Sequence, residues 1–143
     1  LTSFSLVDCV AHGTACGIMN PYYTVFFAPV IQKQLKLIGE ILQRNSLLSE
    51  DVTGLEGRDL GIAIATGLVN FSKSIGAPTT LAEISGFTDQ YIKNTLEAAK
   101  NPQLEMKLKN MPIPLSADLV DRYITPILEA AKTGDLSLIK NVE

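Results

Sequence analysis

His12, the one histidine of the chain, is the residue with the clearest capacity for chemistry. It is followed directly by Gly13 and lies where an apolar helix is predicted to begin. A general base usually needs an orienting carboxylate, and a metal ligand needs companions that supply further nitrogen, oxygen or sulfur atoms. A single histidine meets neither requirement, so it predicts one part of a site whose other parts lie elsewhere. The alternative is a half-buried, hydrogen-bonded histidine at the start of a helix.

Two local sets of residues could complete a metal site around this histidine. Asp8 and His12 are four residues apart, so on a continuous helix they would share a face and could chelate one cation. Cys9, His12 and Cys16 also fall at helical spacing. Both hypotheses require residues 8–16 to be helical throughout.

The composition excludes several classes of function. A hydrophobic content of 46% in 143 residues predicts a folded domain with a single core. The net charge is −3 and the basic residues are scattered, so nucleic acid is not an expected partner. The chain has two cysteines, Cys9 and Cys16, which are too few to stabilise a domain of this size through disulfide bonds. Free thiols in a reducing cytoplasm are therefore predicted.

The length of the apolar stretches and the residues at the start of the chain predict where the protein is located in the cell. The longest apolar stretches, around residues 25–31 and 60–69, fall short of the roughly 20 residues that a membrane helix needs. We therefore expect a soluble, cytoplasmic protein with no membrane partner. The chain starts at Leu1 without an initiator methionine or the basic residues of a signal peptide, which predicts a portion of a longer protein.

The apolar periodicity predicts an all-α fold, a bundle of about six or seven helices that occupies residues 1–143 as one domain. The sequence lacks the sustained alternation of apolar and polar residues that is typical of β-strands. An amphipathic helix is predicted over Val30–Leu42, and residues 45–57 are predicted to be a polar connection. The next helix, Arg58–Ile75, is apolar on most sides and is predicted to be the central one. Its predicted buried stripe is Leu60, Ile64, Leu68, Phe71 and Ile75.

Local signals predict where the later helices begin and end. Thr80 and Glu83 form a capping-box pattern at the start of a short helix, and Thr88-Asp89 opens another that ends before Asn101-Pro102. Ser116 is predicted to be the N-cap of a long helix. Pro126 is expected to kink that helix, and Gly134 to end it before a last turn within residues 136–141.

Three segments, in this order, resemble the iron-dependent (group III) alcohol dehydrogenases. The first is the run from His12-Gly13 through Ala15 to Pro21, and the second is the turn Ile75-Gly76-Ala77-Pro78 followed by Leu81. The third begins with Asn101-Pro102, continues with Ser116-Ala117-Asp118 and closes on the long helix that ends Ala130-Ala131. Each motif is weak alone, whereas their order and spacing over residues 11–140 are more specific.

The resemblance implies a dehydroquinate synthase-like, C-terminal helical domain of an oxidoreductase that acts on an alcohol or aldehyde. Such enzymes place a divalent metal, iron or alternatively zinc, and NAD(P) in the cleft between this domain and an N-terminal dinucleotide-binding domain. The chain holds no G-x-G-x-x-G run, so that N-terminal domain is expected to be missing from it and the isolated domain to be inactive. A homo-oligomer is a further expectation.

Only His12 matches a functional residue of the family. The family holds its metal with one aspartate and three histidines, and His12 corresponds to the last of these four ligands. Thr2 lies near the position of another of the histidines, and Cys16 occupies a position where the family often has asparagine. No catalytic or cofactor-binding residue is assigned within the chain.

A non-catalytic helical binding or regulatory module is the competing hypothesis. In that case His12 is structural, and an aromatic group docks a partner; its members are Tyr22, Tyr23, Phe26 and Phe27. Simple core packing accounts for at least half of these rings.

Overall fold

The computed structural model describes residues 9–142, and these residues form six α-helices. The helices are α1 (His12–Phe27), α2 (Gln32–Arg44), α3 (Gly57–Ser74), α4 (Asp89–Ala99), α5 (Glu105–Lys109) and α6 (Val120–Thr133). Short 3-10 helices lie at Ala28–Val30, Leu81–Glu83, Pro102–Leu104, Ala117–Leu119 and Leu136–Leu138. Within the described range there is no β-strand. The prediction of an all-α bundle is confirmed.

Helix α3 packs against both α1 and α2, as expected for the central helix. Two glycines make this close packing possible. A Cβ atom on Gly61 would lie 2.5 Å from the Cβ atom of Ala28, and one on Gly67 would lie 2.7 Å from Cδ1 of Leu42. The Gly61 contact involves atoms held by the backbone, so this crossing requires a residue without a side chain. The Gly67 contact is with the flexible end of the Leu42 side chain, which would have to shift to admit a methyl group.

Two apolar clusters make up the core, and α3 contributes to both. The larger cluster joins α1, α4 and α6, with Ala65 as the buried residue from α3. The smaller cluster joins α2 to α3 through Leu35, Leu42 and Ile64. A single helix therefore links the two halves of the core, which explains why its sequence is apolar on most sides.

The connection between α2 and α3 corrects one expectation. Residues 45–57 were expected to be a polar linker, but Leu48 and Val52 are buried in the smaller cluster. Gly39 leaves room for Val52, because a Cβ atom at Gly39 would lie 2.7 Å from Cγ2 of that valine. A loop that packs in this way covers the outer side of the crossing between α2 and α3.

The end of α3 corrects a second expectation. Phe71 and Ile75 continue the apolar stripe of the helix, yet they are 46% and 63% exposed. The residues of α1 that face this end of α3 include Gly13 and Gly17, which have no side chain to cover them. The prediction that the stripe is buried along its whole length is therefore wrong for its last turn.

The structure confirms most of the predicted helix ends. Glu83 accepts a hydrogen bond from the backbone N–H of Thr80 at 2.9 Å in the capping box, and Gly134 ends α6 with a φ of +84°. Ser116 is the N-cap residue of the 3-10 turn that leads directly into α6, but its side chain makes no capping hydrogen bond. Helix α6 continues across Pro126, and the predicted kink there stays a prediction.

The C-terminal segment is fastened to the start of α3 and the end of α1. The Arg58 guanidinium donates to the carbonyl of Ile139 and, at 3.1 Å, to the side chain of Asn141. The Asn141 amide in turn donates to the carbonyls of Val25 (2.8 Å) and Phe26 (2.9 Å). These bonds satisfy carbonyl groups in the last turn of α1, where a helix lacks partners of its own.

Replacing Gly61 by alanine should destabilise the fold. The added methyl group would overlap Ala28, and overpacking of this kind costs about 1 to 3 kcal/mol of unfolding free energy. Gly17→Ala is the matched control, because no atom lies within 4 Å of a Cβ added there. Alanine is also the better helix former, by about 1 kcal/mol. Urea denaturation of the two variants and the parent measures the difference, and equal stability of both variants would contradict the tight crossing.

Candidate functional site

His12 is the first residue of α1, and its side chain is exposed. Ala11 precedes it with an extended backbone (φ −56°, ψ 140°), and the Ala11 carbonyl accepts the first helical hydrogen bond, from Ala15 N–H, at 3.0 Å. The imidazole is therefore placed at the exposed end of a helix that is mostly buried from Ile18 to Phe26. The expectation that an apolar helix begins at this histidine is confirmed.

Cys16 lies one turn after His12, and its Sγ atom is 3.7 Å from the Nε2 atom of the imidazole. Cys9 precedes the helix, so the prediction that Cys9, His12 and Cys16 share helical spacing is wrong. The extended backbone of Ala11 interrupts the register. Asp8 lies outside the described residues, but residues 9–11 are not helical, which removes the continuous helix on which the Asp8–His12 chelate depended.

A metal site needs more donors than this pair. In the part of the chain that the structure describes, no three or more histidine, cysteine, aspartate or glutamate side chains come together as a possible metal site. A tetrahedral ion takes four ligands and an octahedral ion six. Residues 9–142 therefore do not fit a complete metal site, and a metal held at His12 would need ligands from outside this range.

A groove runs beside the start of α1. It has a volume of about 310 Å³ and lies between the first turns of α1, the end of α3 and the segment that follows α3. Its lining carries no ionisable side chain and consists of Gly13, Thr14, Gly17, Phe71, Ser72, Ile75, Ala77 and Pro78. The two glycines of α1 keep the groove open, and the partly exposed Phe71 and Ile75 make it apolar.

The predicted aromatic docking group is divided between core and surface. The rings of Tyr22 and Phe26 are buried, at 1% and 0% exposed. Tyr23 and Phe27 are half-buried and stacked, with ring centroids 5.6 Å apart. They line a second groove of about 390 Å³ between α1, α2 and α3. Two of the four rings therefore belong to the hydrophobic core, which agrees with the expectation that core packing accounts for at least half of them.

A buried tyrosine connects α1 to the turn that opens the second half of the chain. The Tyr22 hydroxyl donates to the carbonyl of Thr79 at 2.8 Å. Burial, together with the negative charge of Glu83, raises the pKa of Tyr22 to about 12. The hydroxyl therefore keeps its proton throughout the neutral range and acts as a structural donor.

Glu83 organises the same turn. Its Oε1 atom accepts hydrogen bonds from the backbone N–H groups of Thr79 (3.1 Å) and Thr80 (2.9 Å) and from both threonine hydroxyls. Burial acts to raise the pKa of the Glu83 carboxyl, but the hydrogen bonds from Thr80 and Thr79 outweigh it, so this pKa lies below its ordinary value. Thr79 directly follows Pro78, which lines the first groove.

Comparisons with models of protein families, with curated proteins and with solved structures find no match to this chain. The relation to the iron-dependent alcohol dehydrogenases stays a prediction that rests on the motifs. Among residues 9–142, no helix is long and apolar enough to cross a bilayer.

Two features of this region were not predicted from the sequence. The groove was missed because it brings Gly13 and Gly17 of α1 next to Phe71 and Ile75 of α3, far away along the chain. The signal was present in the glycines, which are four residues apart and so lie on one face of a helix. The anchoring role of Arg58 was also missed, since nothing local marks it.

Replacing Glu83 by glutamine should make stability less dependent on pH. A carboxyl whose pKa is lowered by folding contributes stability above its unfolded pKa of about 4.3, and this contribution is lost as the pH falls through the folded value. The variant should thus be less stable than the parent near neutrality, by about 1 kcal/mol as for a lost cap. In acid the two should converge.

Thermal unfolding from pH 7 down to pH 3 measures this dependence. Glu97→Gln, on the exposed side of α4, is the matched control and should track the parent at every pH. A constant gap between Glu83→Gln and the parent over that range would contradict the role assigned to the charge.

Proposed function

We propose that this chain is the C-terminal helical domain of a metal-dependent NAD(P) alcohol dehydrogenase, to which it contributes His12 as a metal ligand. The observation that carries the proposal is the position of this imidazole, exposed at the first residue of α1 and beside an open groove. A ligand placed there is accessible to a second domain. The all-α architecture agrees with the dehydroquinate synthase-like bundle that the resemblance implies.

The proposal divides the chemistry between this chain and the rest of the enzyme. When bound, the metal, iron or alternatively zinc, would supply Lewis-acid polarisation of the alcohol or aldehyde oxygen, and NAD(P) would accept or donate the hydride. His12 would bind through one ring nitrogen, with the other carrying the proton. The remaining ligands and the cofactor-binding residues belong to segments other than residues 9–142.

The proposal also names the partners. The principal one is the N-terminal dinucleotide-binding domain, and the apolar groove beside His12 is the surface that we expect it to cover. The substrate is a small alcohol or aldehyde. Nucleic acid and membranes play no part, the enzyme is cytoplasmic, and it forms a homo-oligomer.

A non-catalytic binding module is the second candidate function. The exposure of Phe71 and Ile75 on an uncharged groove favours it, because large apolar side chains in such a place are suited to an apolar partner surface. Tyr22 and Phe26 take no part in such docking, since they are core residues. In this case His12 is a structural residue.

Replacing His12 by alanine in the protein that carries both domains should abolish metal retention and turnover together. The imidazole is exposed, so its removal should leave the fold nearly intact while one of four ligands is lost. Metal content by mass spectrometry and the rate of NAD(P)-linked alcohol oxidation measure the two effects. Gln34→Ala, an exposed position on α2, is the control and should keep both.

Two outcomes would count against the proposal. Unchanged metal content and rate in His12→Ala would make His12 structural and favour the binding module. Absence of alcohol oxidation in the two-domain parent, with either NAD or NADP and with iron or zinc supplied, would reject the dehydrogenase itself. Residues 1–143 alone should show no turnover in any case.

A further inference from the structure

Helix α2 is apolar on its outward side as well as on the side that packs into the core. Leu35 and Leu42 are buried, whereas Leu37 and Ile41 are 56% and 58% exposed. Val30, in the 3-10 helix just before α2, is 56% exposed. Single exposed apolar side chains are ordinary, but a row of them on one side of a helix indicates an interaction surface.

The exposed residues follow the spacing of a coiled-coil seam. Leu37 and Ile41 are four residues apart, Gln34 comes three residues before Leu37, and Val30 comes four before Gln34. Alternating steps of three and four place side chains in one stripe, which can pack against a similar stripe on a second helix. We call these four residues the α2 stripe. The buried side of α2 already holds the helix in place, so the helix pays little ordering cost when a partner binds.

The two edges of the α2 stripe differ in character. Lys33 and Glu40 lie along one edge, and both are exposed. Within the chain Glu40 pairs with Arg44 at 3.6 Å, in an exposed pair of the kind that contributes little. Ile31 and Ile38 lie along the other edge, where they line the second groove. A matching partner therefore offers an apolar stripe with charges along one edge and apolar residues along the other.

A second copy of α2 in the antiparallel orientation meets this requirement. With a two-fold axis midway between residues 34 and 37, Leu37 of one protomer lies opposite Gln34 of its partner. Ile41 then lies opposite Val30. The two apolar edges also come together, so that Ile31 and Ile38 adjoin across the axis. Each large exposed residue of the stripe is covered twice, once in each protomer, as in an isologous interface.

The charges favour this orientation and register over the alternatives. Like edges adjoin in an antiparallel pair, so Lys33 of each protomer lies beside Glu40 of the other and two opposite-charge pairs form. Sliding the helices by one heptad, to bring Leu37 opposite Ile41, would place the two Glu40 side chains together. A parallel pair would place Lys33 beside Ile38 and form no ion pair. The surface is therefore self-complementary in one arrangement.

We propose that the α2 stripe is the interface through which two copies of this chain form an antiparallel, two-fold symmetric dimer. The proposed function expects a homo-oligomer without placing its interface, and the inference rests on the proposed function in that respect alone. Metal and cofactor take no part in it. The first groove is lined by other residues and stays available to the N-terminal domain.

Sedimentation of the 143-residue chain over a range of concentrations tests the interface. The parent should form dimers. Ile41→Glu should raise the dissociation constant by on the order of 10²-fold, because a carboxylate from each protomer would enter the apolar seam. Ile75→Glu is the matched control, since Ile75 is 63% exposed but lies in the first groove. It should dimerise as the parent does, and circular dichroism should show unchanged helix content in both variants.

A charge exchange tests the orientation and register. Lys33→Glu and Glu40→Lys should each weaken self-association by about 10-fold, because both opposite-charge pairs become like-charge pairs. An equimolar mixture of the two variants should regain the affinity of the parent, since every contact between them again joins opposite charges. Sedimentation with a fluorescent label on one variant measures the mixed dimer, and added salt should reduce these differences.

Three results would overturn the inference. They are a parent that stays monomeric at high micromolar concentration, a dimer that Ile75→Glu dissociates and Ile41→Glu does not, and a mixture of the charge variants that associates no better than each variant alone. Dissociation by Ile41→Glu together with recovery in the mixture supports the inference. None of these measurements involves turnover, so failure of the dimer and failure of the dehydrogenase proposal are distinguished.

Discussion

The close crossing of α3 with α1 and α2 is the constraint on which the rest of the structure depends. Gly61 brings α3 to a distance from the end of α1 that no larger residue permits, and Gly67 lies close against Leu42 of α2. Because α3 takes part in both apolar clusters, its position determines how the α2 half of the molecule meets the α4–α6 half. The same packing directs one end of α3 toward the start of α1, where the groove forms.

Helix α1 has two parts with different surroundings. From Ile18 to Phe26 most of its residues are buried, and Tyr22 is bonded to the Thr79 carbonyl. In its first turns His12, Gly13 and Gly17 are exposed, so the imidazole lies at the surface of a helix that is anchored further along. This arrangement combines a rigid backbone with an accessible imidazole, which a preorganised metal ligand requires.

Periodicity was sufficient to predict the fold class, the central helix and most helix boundaries, because these depend on residues close together in the sequence. Long-range packing accounts for what was missed. Val52 packs where Gly39 leaves space for it and Leu48 lies close to Gly67, while Phe71 is exposed beside the glycines of α1. For the site, the spacing of His12 and Cys16 was readable, whereas the exclusion of Cys9 depended on the backbone of Ala11.

X-ray absorption at the zinc edge of the zinc-loaded protein tests the central claim, that His12 is a metal ligand, most directly. The account predicts at least one imidazole nitrogen at about 2.0 Å in the two-domain parent and the loss of an imidazole in His12→Ala. A first shell of oxygen atoms alone in the parent, or a spectrum that His12→Ala leaves unchanged, would contradict it.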